Sequence, residues 1–97
     1  MRVISRKALR EFWEKHPDAE TPLRAWFKEA HEAHWGTPSD IKARYAMASF
    51  LAKDRVVFNI KGNAYRLVVA IRYDLGIVYI RFVGTHAAYD TIDATQV

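Results

Sequence analysis

Three runs of sequence decide the architecture: Arg55-Val-Val-Phe-Asn-Ile60, Tyr65-Arg-Leu-Val-Val-Ala-Ile-Arg72 and Ile77-Val-Tyr-Ile-Arg-Phe82. Their β-branched and aromatic residues alternate with polar ones, the pattern of strands with one buried face. Two turn signals separate them, Lys61-Gly62-Asn63-Ala64 and Asp74-Leu75-Gly76. Val56, Phe58 and Ile60 share one face of the first strand, Leu67, Val69 and Ile71 one face of the second, and Val78, Ile80 and Phe82 one face of the third. A one-residue slip would carry each apolar set to the opposite face, so parity sets the register. Phe58 is expected opposite Leu67 and Ile80 opposite Val69, with four-residue loops at 61–64 and 73–76. The second face then collects Arg55, Asn59, Arg66, Arg72, Tyr79 and Arg81, with Asn59 opposite Arg66 and Arg81 diagonal to it. That arrangement predicts one apolar face and one open basic face.

Upstream of this sheet the period changes. After a short extended start at Val3 and Ile4, Ser5 is a good N-cap for an amphipathic helix carrying Leu9, Phe12 and Trp13. Pro17 biases His16 out of the helical region and should stop that helix near Lys15. Thr21 with Pro22 is expected to open a second helix whose buried stripe is Leu23, Trp26, Phe27 and Ala30, and Thr37-Pro38 a short third one carrying Ile41 and Tyr45. Helices first and strands second predict an α+β fold, a small antiparallel sheet with two N-terminal helices packed on one face. No repeat or linker interrupts residues 1–97, which read as a single domain.

The chain has 51% hydrophobic and 27% charged residues and no cysteine, which excludes disulfides, thiolate zinc sites and cysteine nucleophiles and points to a reducing cytoplasm. No apolar run is long enough to span a bilayer, and the first residues lack a signal peptide's apolar stretch, so no membrane partner is expected. The formal net charge is +4, and the segment from Lys53 to Arg81, with six basic and two acidic residues, carries an equal excess. A localised positive charge favours a polyanion. Arginine forks bind phosphate bidentately, and aromatic rings stack on single-stranded bases. A solvated sheet face accounts for the same alternation equally well.

Beyond the last strand, Thr85-His86 and Tyr89-Asp90 add a possible acid–base group. Metal-free RNA cleavage needs a group to take the ribose 2′-OH proton, cations to stabilise the phosphorane, and an acid for the departing 5′ oxygen. His86, Arg66, Arg81, Tyr79 and Tyr89 cover those roles chemically. His31 and His34 are three apart, not at the zincin spacing, and read as a solvated helix face, while His16 reads as structural. No Gly-rich phosphate loop or Walker pattern is present, and neither metal nor cofactor is expected.

Val57-Phe58-Asn59, Gly62-Asn63, Tyr65-Arg66-Leu67, Tyr79-Ile80-Arg81 and Thr85-His86 followed by Tyr89-Asp90 occur in the order and spacing of a known family. In these features the chain resembles the HigB toxins of type II toxin–antitoxin pairs, within the RelE/ParE superfamily. The resemblance implies an mRNA interferase acting on ribosome-bound message in the cytoplasm, held inactive by a HigA-type helix-turn-helix antitoxin. Carried over position by position, it implies Arg66, Arg81, His86 and Tyr89 as catalytic residues, and Asn63 and Asp90 as RNA contacts beside Lys53, Asn59, Lys61 and Tyr79. Ala88 and Ala64 depart from the family pattern, which usually has glutamate and a basic residue there, departures that would attenuate the activity. Two other readings stay open on sequence: a ParE-like inhibitor of a topoisomerase, and an RNA-binding module without catalysis.

Overall fold

The computed structural model describes residues 1–97. Strand β1 (Arg2–Ile4) leads into helix α1 (Arg6–Lys15), a 3-10 turn at Pro17–Ala19, and helices α2 (Glu20–Glu32) and α3 (Pro38–Arg44). Strands β2 (Ser49–Leu51), β3 (Arg55–Ile60), β4 (Tyr65–Arg72) and β5 (Ile77–Thr85) follow, and a four-residue helix α4 (His86–Tyr89) precedes the C-terminal tail. The α+β expectation holds. The sheet is larger than expected, with five strands in the order β1-β5-β4-β3-β2. It is antiparallel from β2 to β5, and β1 lies parallel to β5, with Val3 beside Val78.

Ser5 stands at the N-cap of α1 in extended conformation, though its side chain makes no capping bond. The helix ends at Lys15, before Pro17, as the sequence requires. The start of α2 differs from the Thr21-Pro22 expectation, because the 3-10 turn opened by Pro17 feeds the helix directly at Glu20. Pro22 then sits inside the first turn, where its missing N–H is no loss because those donors have no intrahelical acceptor. At α3 the Asp40 carboxylate accepts the backbone N–H groups of Gly36 (2.9 Å) and Thr37 (3.1 Å), satisfying two orphan donors at the helix start.

The helices cover one face of the sheet. Leu9, Trp13, Leu23, Trp26, Ile41, Phe58, Leu67, Val69 and Val78 belong to the main core, and all three tryptophans are buried in it. Phe58 is its aromatic hub, edge-on to Trp26 (5.4 Å between centroids) and Tyr45 (5.1 Å) and stacked on Trp35 (6.2 Å).

Helix layer and sheet are also tied by polar bonds. Asp18 accepts hydrogen bonds from Lys61 Nζ (2.6 Å) and from the Tyr65 hydroxyl. The Lys61 ammonium first, and then the Tyr65 hydroxyl, hold the Asp18 carboxyl below its ordinary 3.8, and the same bond to Asp18 raises the Tyr65 hydroxyl above its ordinary 10.0. Burial, followed by its bond to Glu29, raises the Tyr45 hydroxyl as well. A lowered acid stabilises the fold above its unfolded value, and that contribution disappears as pH falls through the folded value. A raised phenol stabilises the fold below its unfolded value and is lost as pH climbs through the folded one. Thermal melting followed across pH is therefore expected to show Tm falling below about pH 4 and above about pH 10. Asp18→Asn should flatten both limbs, since it removes the acid and the partner that raises Tyr65; limbs unchanged by that substitution would refute the linkage.

Candidate nucleic-acid interface

The predicted register is present on both sides of β4. Phe58 lies opposite Leu67, Asn59 opposite Arg66, and Ile80 opposite Val69. Between Val68 and Val69 the pairing shifts by one residue: Val69 faces Ile80 while Val68 faces Phe82, leaving Arg81 without a ladder partner. This bulge reverses parity for the rest of β5. Phe82, expected on the core face with Val78 and Ile80, instead packs on the opposite face against Val57, Val68 and Ala94.

That opposite face is not open. A second, smaller cluster of Val57, Val68 and Ala94, with Leu51, Phe82, Tyr89 and Val97 against it, covers its centre. The C-terminal tail runs over it, and the Val97 carbonyl accepts a hydrogen bond from Arg55 Nη2 at 2.7 Å. The expectation of a uniformly basic, exposed side is thus corrected. Alternation alone described residues 55–82, whereas the apolar residues of the tail found partners in Val57, Val68 and the displaced Phe82. The charged groups are divided between two regions flanking the cluster.

The first region surrounds Arg66, the one buried charged side chain. Its Nη2 donates to Asn63 Oδ1 at 2.6 Å, and its Nη1 to the carbonyls of Asn63 (3.2 Å) and Tyr65 (3.3 Å). The guanidinium carbon stands 5.9 Å from the centre of the Tyr89 ring. These partners are neutral, so the cation is fixed but not neutralised, and Nε–H and one Nη2–H remain for a ligand. Left-handed backbone at Lys61 (φ 52°) and Gly62 (φ 62°) forms the loop that delivers Asn63 to Arg66.

Helix α4 closes this region. Thr85 Oγ1 accepts from the Ala88 N–H (3.1 Å), capping the helix, and the His86 N–H donates to the Ala64 carbonyl (3.1 Å), which joins α4 to the 61–64 loop. His86 Nε2 stands 3.6 Å from Asp90 Oδ1, one helical turn on, and both side chains are accessible. The Tyr89 ring also leans towards Phe82, with centroids 6.5 Å apart. Gly84, opposite Arg66 on β5, makes room for this: a Cβ there would lie 2.5 Å from the Phe82 ring. The sequence placed Phe82 on the core face and gave it no part in this region.

The second region is a cleft of about 290 Å³ lined by Lys53, Arg55, Arg72, Tyr79 and Arg81 among others. Arg81 lies over the Tyr79 ring, 5.4 Å from its centre. Arg72 is paired with Asp74 through two bonds of 3.1 and 2.9 Å, while Arg81 has no salt bridge and Lys53 acts on the Asp93 carboxyl only at longer range. Of the sequence-derived site residues, the structure gathers Asn63, Arg66 and Tyr89 by direct contact, with Asn59 opposite Arg66 and His86 and Asp90 on the adjoining helix. It gathers Lys53, Tyr79 and Arg81 separately. Lys61 is tied to Asp18. His31 stacks on Phe27, with centroids 5.9 Å apart.

With this geometry in hand, the likeness to known proteins is informative. The model of the HigB toxins, described as the RelE-like toxic component of a toxin-antitoxin system, matches residues 19–92. The chain belongs to the HigB toxin family. The match runs from the 3-10 turn through α4, so it takes in both charged regions. The mRNA interferase toxin HigB of Escherichia coli strain K12 is 33% identical over 98 residues, covering 99% of this chain and 94% of that protein. The proteins called mRNA interferase HigB in Escherichia coli O157:H7 and Shigella flexneri give the same figures, 33% over 98 residues. This HigB-family chain is therefore the toxic component of a toxin–antitoxin system and has an antitoxin as its partner. No helix in it is long and apolar enough to cross a membrane.

Proposed function

We propose that this toxin is an mRNA interferase, a metal-independent endoribonuclease that inhibits translation in the cytoplasm by cutting ribosome-bound message and is neutralised by a HigA-type helix-turn-helix antitoxin. The full-length likeness to proteins named mRNA interferase supports the activity. The observation that carries the assignment to this site is the Arg66 guanidinium, buried and uncompensated, clamped by Asn63 beside the Tyr89 ring, with the start of α4 tied to the adjoining loop through the His86 N–H.

In this reading the scissile phosphate binds the free N–H donors of Arg66, which are in place before charge develops on the phosphorane and need no reorganisation. His86 and Tyr89 serve proton transfer or position the base beside the cut, and Asp90 orients His86 and contacts the RNA. Arg81 and Lys53, with Tyr79, hold a neighbouring stretch of backbone in the second cleft, where Arg81 stabilises charge at longer range. Asn59 and Lys61 line the approach on the Asn63 side. Alanine at position 88 leaves the exposed face of α4 without the carboxylate usual there, and the activity is correspondingly attenuated.

Induction in cells should arrest growth and produce new 5′ ends inside translated messages, and purified protein stripped with EDTA and desalted before it meets ribosomes should generate the same ends. Growth arrest with intact messages and a DNA-damage response would overturn the nuclease reading in favour of topoisomerase inhibition. Salt-sensitive binding to RNA that stays intact would leave a binding module.

A further inference from the structure

Strand β2 pairs with β3 only over Arg55–Val57, so the outer edge of β3 is uncovered from Phe58 onward. The gap forms a groove of about 730 Å³, lined by Tyr45, Met47, Phe58, Asn59 and Asn63 with small residues between them. None of its lining residues is charged. The floor is rigid: the Tyr45 hydroxyl donates to Glu29 at 2.6 Å, Glu29 is paired with Arg44, and the Tyr45 ring stands against Phe58.

We propose that this groove receives one unstacked nucleobase of the RNA beside the cut and sets the cleavage preference. The proposal rests on the mRNA-interferase reading above. Three observations select this occupant. A neutral lining rejects a phosphate, which would need a cation, but fits an uncharged planar ring against the half-buried Tyr45 ring. Two amides, Asn59 and Asn63, offer both donors and acceptors to the edge of a base. Asn63 also holds Arg66, so the groove opens directly beside the proposed phosphate clamp, within the reach of one nucleotide. Met47, 74% exposed, stands at the mouth.

The test maps cut sites across the cellular messages after induction of the parent, Met47→Trp, Ala46→Trp and Asn59→Leu, with Leu75→Trp, on a remote exposed turn, as control. The two tryptophans fill the mouth from surface positions, so one covers for the other if either fails to fold. The readout is the ratio of cuts at favoured and disfavoured bases next to the scissile bond, not the total rate. The parent and Leu75→Trp are expected to share one preference, and the groove variants to lose it by about fivefold or more, the worth of one good base contact. Unchanged ratios in the groove variants overturn the proposal. So does unchanged preference with loss of antitoxin binding, which would assign the groove to the partner protein. A parent that cuts without any base preference removes the groove's role alone, whereas a parent that leaves messages intact removes the nuclease reading with it.

Discussion

Arg66→Ala is expected to abolish growth arrest and lower message cleavage on the order of 10²–10³-fold, the effect typical of losing one preorganised donor to a developing oxyanion. The protein should remain folded. Arg66 is bonded only to carbonyl and amide oxygens, so its removal strands no buried acid, and Asn63 sits in a loop that water can reach. Arg66→Lys should recover little, because the three donors of an ammonium radiate from one atom and cannot bond the three oxygens that Arg66 spans while still offering a planar pair to a phosphate. Arg81→Ala supplies the contrast. Its guanidinium is exposed and lies over Tyr79 across the apolar cluster from Arg66, so its loss should weaken RNA binding and reduce the salt slope by about one counterion. Growth arrest as strong in Arg66→Ala as in the parent, at equal protein levels, would place the chemistry elsewhere.

The division of labour between those two arginines marks the boundary of what the sequence could convey. Period-2 alternation named the strands, and parity fixed Phe58 opposite Leu67 and Ile80 opposite Val69, because any slip would have turned a whole apolar set to water. The same rule misplaced Phe82. A bulge costs one residue of register and leaves no mark in the alternation of its own strand, so it becomes visible only when β4 is laid beside β5. The tail was missed for a related reason: Ala94 and Val97 show no periodicity, and their burial depends on Val57, Val68 and Phe82 converging on a face expected to be wet. Strand β2, three residues of which Phe50 is partly exposed, is too short for a periodic signal. At the site, residue types were legible and partnerships only partly so. Asn59 opposite Arg66 followed from register, but the clamp of Arg66 by Asn63 depends on the left-handed loop at Lys61 and Gly62.

The largest stability effect should come from Phe58→Ala, at about 3–5 kcal/mol. Phe58 is 1% exposed and is the point at which α2, the α2–α3 loop, the C-terminal end of α3 and the sheet meet, through Trp26, Trp35 and Tyr45. Its three aromatic neighbours are held from different elements and cannot all move inward, so the cavity would stay largely unfilled. For a domain whose total stability is expected at about 5–15 kcal/mol, that loss removes a large share of the folding free energy. Urea denaturation followed by tryptophan fluorescence should show a large fall in midpoint with the slope unchanged, and Phe58→Leu, which keeps most of the volume, should lie between variant and parent. A midpoint shift worth less than about 1 kcal/mol would mean that the aromatic cluster repacks and is not the hub described. Because Phe58 backs the Tyr45 ring that lines the groove, Phe58→Leu should alter cleavage preference before it alters abundance. The two effects separate by comparing cut-site ratios at matched levels of folded protein, and a change in abundance alone would confine Phe58 to the core.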